Sequence, residues 1–369
     1  MKYRITLVLS LLFALSIFAQ ENKKDPRYEQ YSGGYGSNDG IYLFEDGRFI
    51  LYGYATAVFG EYSIDKDILS FFPEKRELFE VYATQNKSLG SITQINYAGF
   101  ERGSISLIRF NNGKSLQNIF NDNPNCFSGP FVSEVPKNVN EFTLYNLADK
   151  EYGDRTRPYN SWKYKNDKGY NDFIFIYNQP RPEYENFSGK MVINEKGTTL
   201  KLSNFGGENG YPKYDLKQNE EKQSQWKELL DMKDKYTRYK EKKEDFIMAN
   251  KHYSVILDLD MSIYNYDSHS NQYISKNVDE NAAYYNDNPF NDARYLRKFS
   301  KLQPESRSNS RISEKDILST PVFLSKCNDP SGRSYRYKGI PKSGLEAQYE
   351  KIPPTTIPSP PMPLAPVKK

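Results

Sequence analysis

From Tyr42 to Pro73 the chain reads YLFEDGRFILYGYATAVFGEYSIDKDILSFFP, a succession of short aromatic-rich runs separated by turn residues. Nothing else in the sequence restricts the fold as much. Tyr42–Phe44 and Arg48–Tyr52 flank Asp46-Gly47, and an Asp-Gly pair supplies the positive φ that tight hairpin turns demand. Gly60–Ile64 and Ile68–Phe72 flank the charged turn Asp65-Lys66-Asp67, and Pro73 stops the last run. None of these runs is long enough for a helix, and the residues within them are those that fit a pleated, half-buried surface. The spacing predicts further strands near 77–83, 91–97, 103–110, 115–120 and 141–146. Many short strands with frequent turns predict a barrel or a sandwich and exclude a doubly wound parallel sheet.

The nine positions Phe44, Asp46, Gly47, Phe49, Gly60, Tyr62, Ile64, Leu69 and Phe71 resemble the strand, Asp-Gly, strand, Gly-x-Tyr-x-Ile, strand run of small lipocalin-like β-barrels of secreted bacterial proteins. The resemblance implies a barrel for the N-terminal part of the chain, its interior either open to a small apolar ligand or filled. The fold expected is therefore mainly β, α+β overall. A barrel or sandwich domain spans 35–147, a polar connection 148–170, and a second β-rich domain 171–340. Within the second domain a hairpin is expected over 190–202.

One long amphipathic helix is expected over 220–249. Asn219 caps it, Glu220 and Glu221 suit its positive N-terminal dipole, and Trp226, Leu229, Leu230, Tyr236, Tyr239, Phe246 and Ile247 recur on one side at helical spacing. Such a stripe is a packing face, the ordinary state of a surface helix.

The chain's ends predict its destination. Lys2 and Arg4 precede the apolar run Ile5–Ala19, the pattern of a secretory signal peptide over 1–19. A polar lead-in, 20–34, follows. The expected site of action is the periplasm or cell exterior, with no membrane-spanning segment once the leader is removed. At the other end seven of the 19 residues from Lys351 onward are Pro, so 345–369 is expected to be extended, polyproline-like chain without a core. With 51 basic against 47 acidic residues, no field steers the protein toward nucleic acid.

Chemistry is sparse. The two histidines, His252 and His269, stand in no recognisable triad or zinc motif, and no Gly-rich phosphate loop is present. The segment HYSVILDLDMS carries an apolar run ending in Asp258-Leu259-Asp260. It resembles the first motif of haloacid-dehalogenase-like phosphatases. The resemblance implies Asp258 as nucleophile, Asp260 as general acid/base and Mg²⁺ as cofactor; the bland alternative is a strand whose aspartates face solvent or cap a turn. Asp258, Asp260, Asp267 and His269 offer Ca²⁺ a further alternative.

Cys126 and Cys327 fall on opposite sides of the expected connection. An exported chain permits a disulfide between them or two separate packed thiols. The first expectation for function is a non-catalytic binding or structural protein whose partner is a small apolar ligand, a glycan or an envelope protein. The second is the phosphatase.

Overall fold

A computed structural model describes residues 25–339, apart from 54–55, 103–104, 112, 114, 148–157, 196, 215–219 and 243–244. The expected signal peptide, the first residues of the lead-in, the start of the polar connection, the Asn219 cap and the Pro-rich tail lie outside the described residues. The fold is mainly β, as the turn spacing predicts. It divides into two compact units that interleave along the chain: unit 1 combines residues up to 78 with 178–244, and unit 2 combines 79–177 with the residues from 245 on.

Unit 1 is an eight-stranded antiparallel sheet that closes almost completely on itself. In chain order β1 (Gly33–Gly36), β2 (Gly40–Leu43), β3 (Arg48–Gly53), β4 (Thr56–Asp65) and β5 (Ile68–Pro73) each pair with the next. β5 then pairs with β14 (Phe187–Asn194), which continues through β15 (Gly197–Leu202) to β16 (Tyr211–Pro212). A bridge between Tyr35 and Lys213 joins the ends, with Tyr214 N donating to Gly34 O at 3.1 Å. The barrel is therefore not the contiguous 35–147 of the sequence reading. Residues 79–147 belong to unit 2, and the expected hairpin over 190–202 completes the barrel instead of opening a second domain. An unpaired β5 edge would present a row of unsatisfied backbone groups, and β14 satisfies them.

Local chemistry explains the turns. Phe44 N donates to Arg48 O at 2.9 Å and Gly47 N to Phe44 O at 3.1 Å. Gly47, at φ 83, ends a three-residue loop closed by the Phe44–Arg48 pair. Gly60 is required for another reason: a Cβ there would come within 2.6 Å of the Phe49 ring and 2.5 Å of the Phe72 carbonyl oxygen. The aromatic ring occupies the space that the missing side chain leaves.

The short helix α1 (Arg27–Tyr31) precedes β1, and the long helix α2 (Glu220–Lys242) packs on the outer side of β2–β4. Trp226 stacks on Tyr42 with ring centroids 3.8 Å apart, and Tyr236 stacks on Phe59 at 4.1 Å. Lys233 binds Asp46 at 2.8 Å and lies 4.1 Å over the Phe44 ring. The helix ends at Lys242, not at 249. Phe246 and Ile247, read as the end of its stripe, belong to a strand of unit 2. A short apolar run is compatible with either periodicity, and sheet pairing decides it.

Unit 2 contains two sheets. The first runs β10 (Phe131–Val135), β7 (Thr93–Ala98), β13 (Asp172–Tyr177), β6 (Phe79–Thr84), β20 (Tyr295–Leu302), β19 (Gln272–Ser275), β18 (Tyr264–Asp267). β17 (Phe246–Ala249) also pairs with β20. The second runs β21 (Ser306–Ser310), β12 (Tyr159–Lys165), β11 (Glu141–Leu147), β8 (Ser106–Phe110), β9 (Leu116–Asn118), β22 (Ile317–Leu318). Rings from the two sheets meet: Phe142 stacks on Phe175 at 4.8 Å, and Phe79 lies edge-on to Trp162 at 4.9 Å. Unit 2 is thus a sandwich, with parallel pairing at β7–β13 and β9–β22 and at the single bridge Phe120–Phe323. Residues 159–165, expected within a connection, form an interior strand of the second sheet. Their Lys and Asn side chains obscured a pattern whose buried members are Tyr159, Ser161 and Tyr164. Among the described residues no helix is long and apolar enough to cross a membrane.

Candidate functional site

The lipocalin-like resemblance leaves open whether the barrel interior is free or filled. The interior is occupied by the chain's own rings. Phe49, Phe71 and Phe187 form a mutual cluster, with Phe71 stacked on Phe187 at 4.6 Å and Phe49 edge-on to Phe71 at 5.2 Å. Tyr62 adds a fourth ring 5.9 Å from Phe71, and its hydroxyl donates to Phe44 O at 2.9 Å. Tyr35, Ile41, Leu43 and Leu200 are fully buried around them. These rings pack against one another at the spacing of a protein core.

The outer wall differs. Because side chains alternate, Phe71 points inward and Phe72 outward, 47% exposed. A shallow depression of ≈ 300 Å³ lies here, lined by Ser70, Phe72, Asn186, Ser188 and Ser203 and the edges of Phe71 and Phe187. The register places Ser70 opposite Ser188 and Phe72 opposite Glu61. Glu61, Phe72 and Ser188 are exposed. The wall therefore offers one flat aromatic face among three serine hydroxyls, an amide and a carboxylate.

The Asp258-Leu259-Asp260 segment has no such setting. Val255–Leu257 is not a strand of a sheet; it makes one bridge to Ala249, and Ile256 N donates to Met248 O at 2.9 Å. Leu257 is 69% exposed. Asp258 has φ 54, a left-handed backbone at an exposed bend. Asp260 accepts from Ser262 N at 2.9 Å and caps the short 3-10 turn Met261–Ile263, and the Ser262 hydrogen bonds hold its carboxyl below the usual range. Asp267 is likewise engaged with His269 N and Ser270. No group of three or more His, Cys, Asp or Glu placed to hold a metal ion occurs among the described residues.

A different constellation lies beneath that loop, and no sequence pattern pointed to it. Tyr253 Oη lies 2.9 Å from both Asp172 Oδ1 and Gln94 Oε1, so its one proton is shared between two acceptors. Asn86 Nδ2 donates to Asp172 Oδ2 at 2.8 Å. Burial pushes the Asp172 carboxyl up, against the hydrogen bonds from Asn86 and Tyr253 and the charge of Arg297, which pull it down. Burial also raises the Tyr253 phenol and lowers Arg297. Arg297 Nε has no hydrogen-bond partner among the described residues. Tyr253 itself adopts φ 62, a conformation uncommon for a bulky side chain and retained only where surroundings over-determine it. Next to it His252 is buried, its Nδ1 3.0 Å from Tyr337 Oη. Asp172 is almost wholly buried, and its contact with Tyr253 ties the 250–258 loop to the sheet. Tyr253 and Asp172 are 81 residues apart, beyond the reach of any motif.

Cys126 and Cys327 both belong to unit 2, not to separate domains, and both are free thiols. Cys327 N donates to Asn125 Oδ1 and Cys327 Sγ to Asn125 O, each at 3.0 Å.

No protein-family model matches this chain, and comparison with curated proteins and with solved structures likewise finds no match.

Proposed function

We propose that the chain is an exported, non-catalytic binding protein built on a lipocalin-like barrel, in which recognition takes place on the outer wall at β5 and β14. The single observation that carries this reading is the contrast at Phe71 and Phe72. One ring is locked into a filled interior and its neighbour stands exposed among hydroxyls. A filled barrel argues against carriage of a small apolar ligand. The surface chemistry favours a glycan: a flat ring stacks on the apolar face of a sugar, while serine hydroxyls, an amide and a carboxylate satisfy its hydroxyls. Weak, multivalent recognition suits a site this open.

A glycan array followed by titration of the best ligand tests the reading. Phe72→Ala is expected to weaken binding roughly tenfold, equivalent to about 1.4 kcal/mol, and to leave the melting temperature unchanged because the ring is exposed. An array without any ligand, or equal affinity for the variant, would sink the glycan reading. Mg²⁺-dependent phosphomonoester hydrolysis that disappears in Asp258→Asn would replace it with the enzymatic one.

A further inference from the structure

We propose that Cys126 and Cys327 are joined by an intramolecular disulfide when the chain matures under oxidising conditions, and that this bond seals one end of unit 2. The segments 121–126 and 323–327, far apart along the chain, are stitched together side by side. Asn121 N donates to Phe323 O at 3.3 Å, Ser325 N to Asn121 Oδ1 at 2.6 Å, and Asn125 N to Ser325 O at 3.2 Å. Ser325 Oγ donates to Cys126 O, and Cys327 N to Asn125 Oδ1 at 3.0 Å. The Cys327 sulfur lies 3.0 Å from Asn125 O, an atom of the peptide unit that leads directly into Cys126.

This alignment is anchored in the core. Phe323, 1% exposed, is packed among the rings of Tyr97, Phe120, Phe131 and Tyr335 at 4.9 to 5.5 Å. The register of the two segments is therefore set by buried aromatic packing just before Cys327. The neighbouring Cys126 thiol raises the Cys327 pKa, in line with the backbone contacts that set the two segments side by side. Cys327 is exposed and Cys126 half-buried, so a soluble oxidant reaches the pair.

The oxidant is a disulfide, either a small-molecule one such as glutathione disulfide or that of a thiol–disulfide oxidoreductase. The Cys327 thiolate attacks one sulfur of that disulfide and releases the first thiol. The Cys126 thiolate then attacks the mixed disulfide at Cys327 Sγ and releases the second. One S–S bond forms in the protein and one breaks in the oxidant; two protons and two electrons leave the cysteines and end on the two released thiols.

The test incubates the full chain with glutathione disulfide, alkylates remaining thiols, and maps peptides without reduction. The expected product is monomeric, lighter by two hydrogen atoms, resists alkylation and yields one cross-linked peptide containing Cys126 and Cys327. Alkylation of both thiols, a persistent glutathione adduct, or a disulfide-linked dimer would each overturn the proposal. Reductant is expected to lower the melting temperature of the oxidised wild type by several degrees and to leave the Cys126→Ser/Cys327→Ser double variant unmoved. Equal sensitivity in both would remove the sealing role. Should that variant fold poorly, the wild-type peptide map decides alone.

Discussion

In unit 1, five strands follow one another along the chain, β1 to β5, each paired with its successor, and the remaining three arrive as a second consecutive run. In unit 2 the central strand β13 lies between β7 and β6, neither of them its neighbour in sequence, and β20 reaches β6 from the far end of the described chain. The two units also differ in what they bury. The unit 1 interior is a cluster of rings closed over by aliphatic side chains. Unit 2 buries rings between its sheets but also encloses a carboxylate and several amides, Asp172, Asn86, Asn171 and Asn250 among them. An apolar interior tolerates any arrangement that fills it. A buried polar group must find its own partner, because leaving it unpaired costs more than a pair gains. Unit 1 is thus specified by shape and unit 2 by pairing.

The largest effect that could break this comparison is in the barrel. Phe71→Ala removes a fully buried ring that touches three others and is expected to destabilise unit 1 by about 3–5 kcal/mol. Urea unfolding followed through the barrel's aromatic signal measures it. A loss below about 1 kcal/mol would mean that the interior has space to collapse or to admit a ligand, and the filled-barrel reading would fall.

Next in size is Tyr253→Phe, which keeps the ring and deletes only the donor to Asp172 and Gln94. A cost of about 1–3 kcal/mol is expected in unit 2, the desolvation of acceptors left unpaired. Asp172 adds a pH signature with a definite sign. Its folded-state carboxyl is raised by burial, so its contribution is fully present below the unfolded value of about 3.9 and is lost as the pH rises through the folded one. The stability of the wild type relative to Asp172→Asn should therefore fall on going from acid toward neutral pH and then level off. Parallel stability curves for the two proteins would show that the carboxyl is not buried in the folded chain.

The smallest expected effect is Lys233→Ala. Its contact with Asp46 is partly exposed, so loss of the ion pair and of the cation lying over Phe44 should cost about 0.5–1 kcal/mol and shrink in high salt. The hydrogen bond from Lys233, together with the backbone donor of Arg48, outweighs the burial that would raise Asp46 and leaves its carboxyl lowered. This contribution is present above the unfolded carboxylate value and is lost as the pH falls through the folded one. One acid titration thus reports oppositely on the two units: protonation strengthens the Asp172 site and weakens the α2 clamp. Identical acid responses of Asp172→Asn and Lys233→Ala would erase the contrast.

Turn chemistry made the hairpins of the barrel legible. Asp46-Gly47 carries the positive φ its loop requires, and Lys66-Asp67 turns between β4 and β5 with Lys66 itself at φ 51. The stripe of α2 was legible through Trp226, Leu229, Leu230 and Tyr236, all of which face the barrel. Its end was not, because Phe246–Ala249 fits helix and strand periodicity alike and only β20 decides between them. The setting of Asp258-Leu259-Asp260 was not legible for a related reason. An apolar run before two aspartates looks the same whether it is a central strand or an exposed bend, and the two differ only in what lies beside them.

The amino-acid sequence by itself determined the class of fold, the local hairpins and the filling of the core with aromatic rings, since these depend on residue type and on spacings of a few positions. The tertiary structure alone decided that β14–β16 close the barrel, that Tyr253 meets Asp172, and that Cys327 lies against the peptide unit leading into Cys126. Each of these joins groups distant along the chain, and which distant partner a strand edge, a phenol or a thiol meets is set by how everything between them packs.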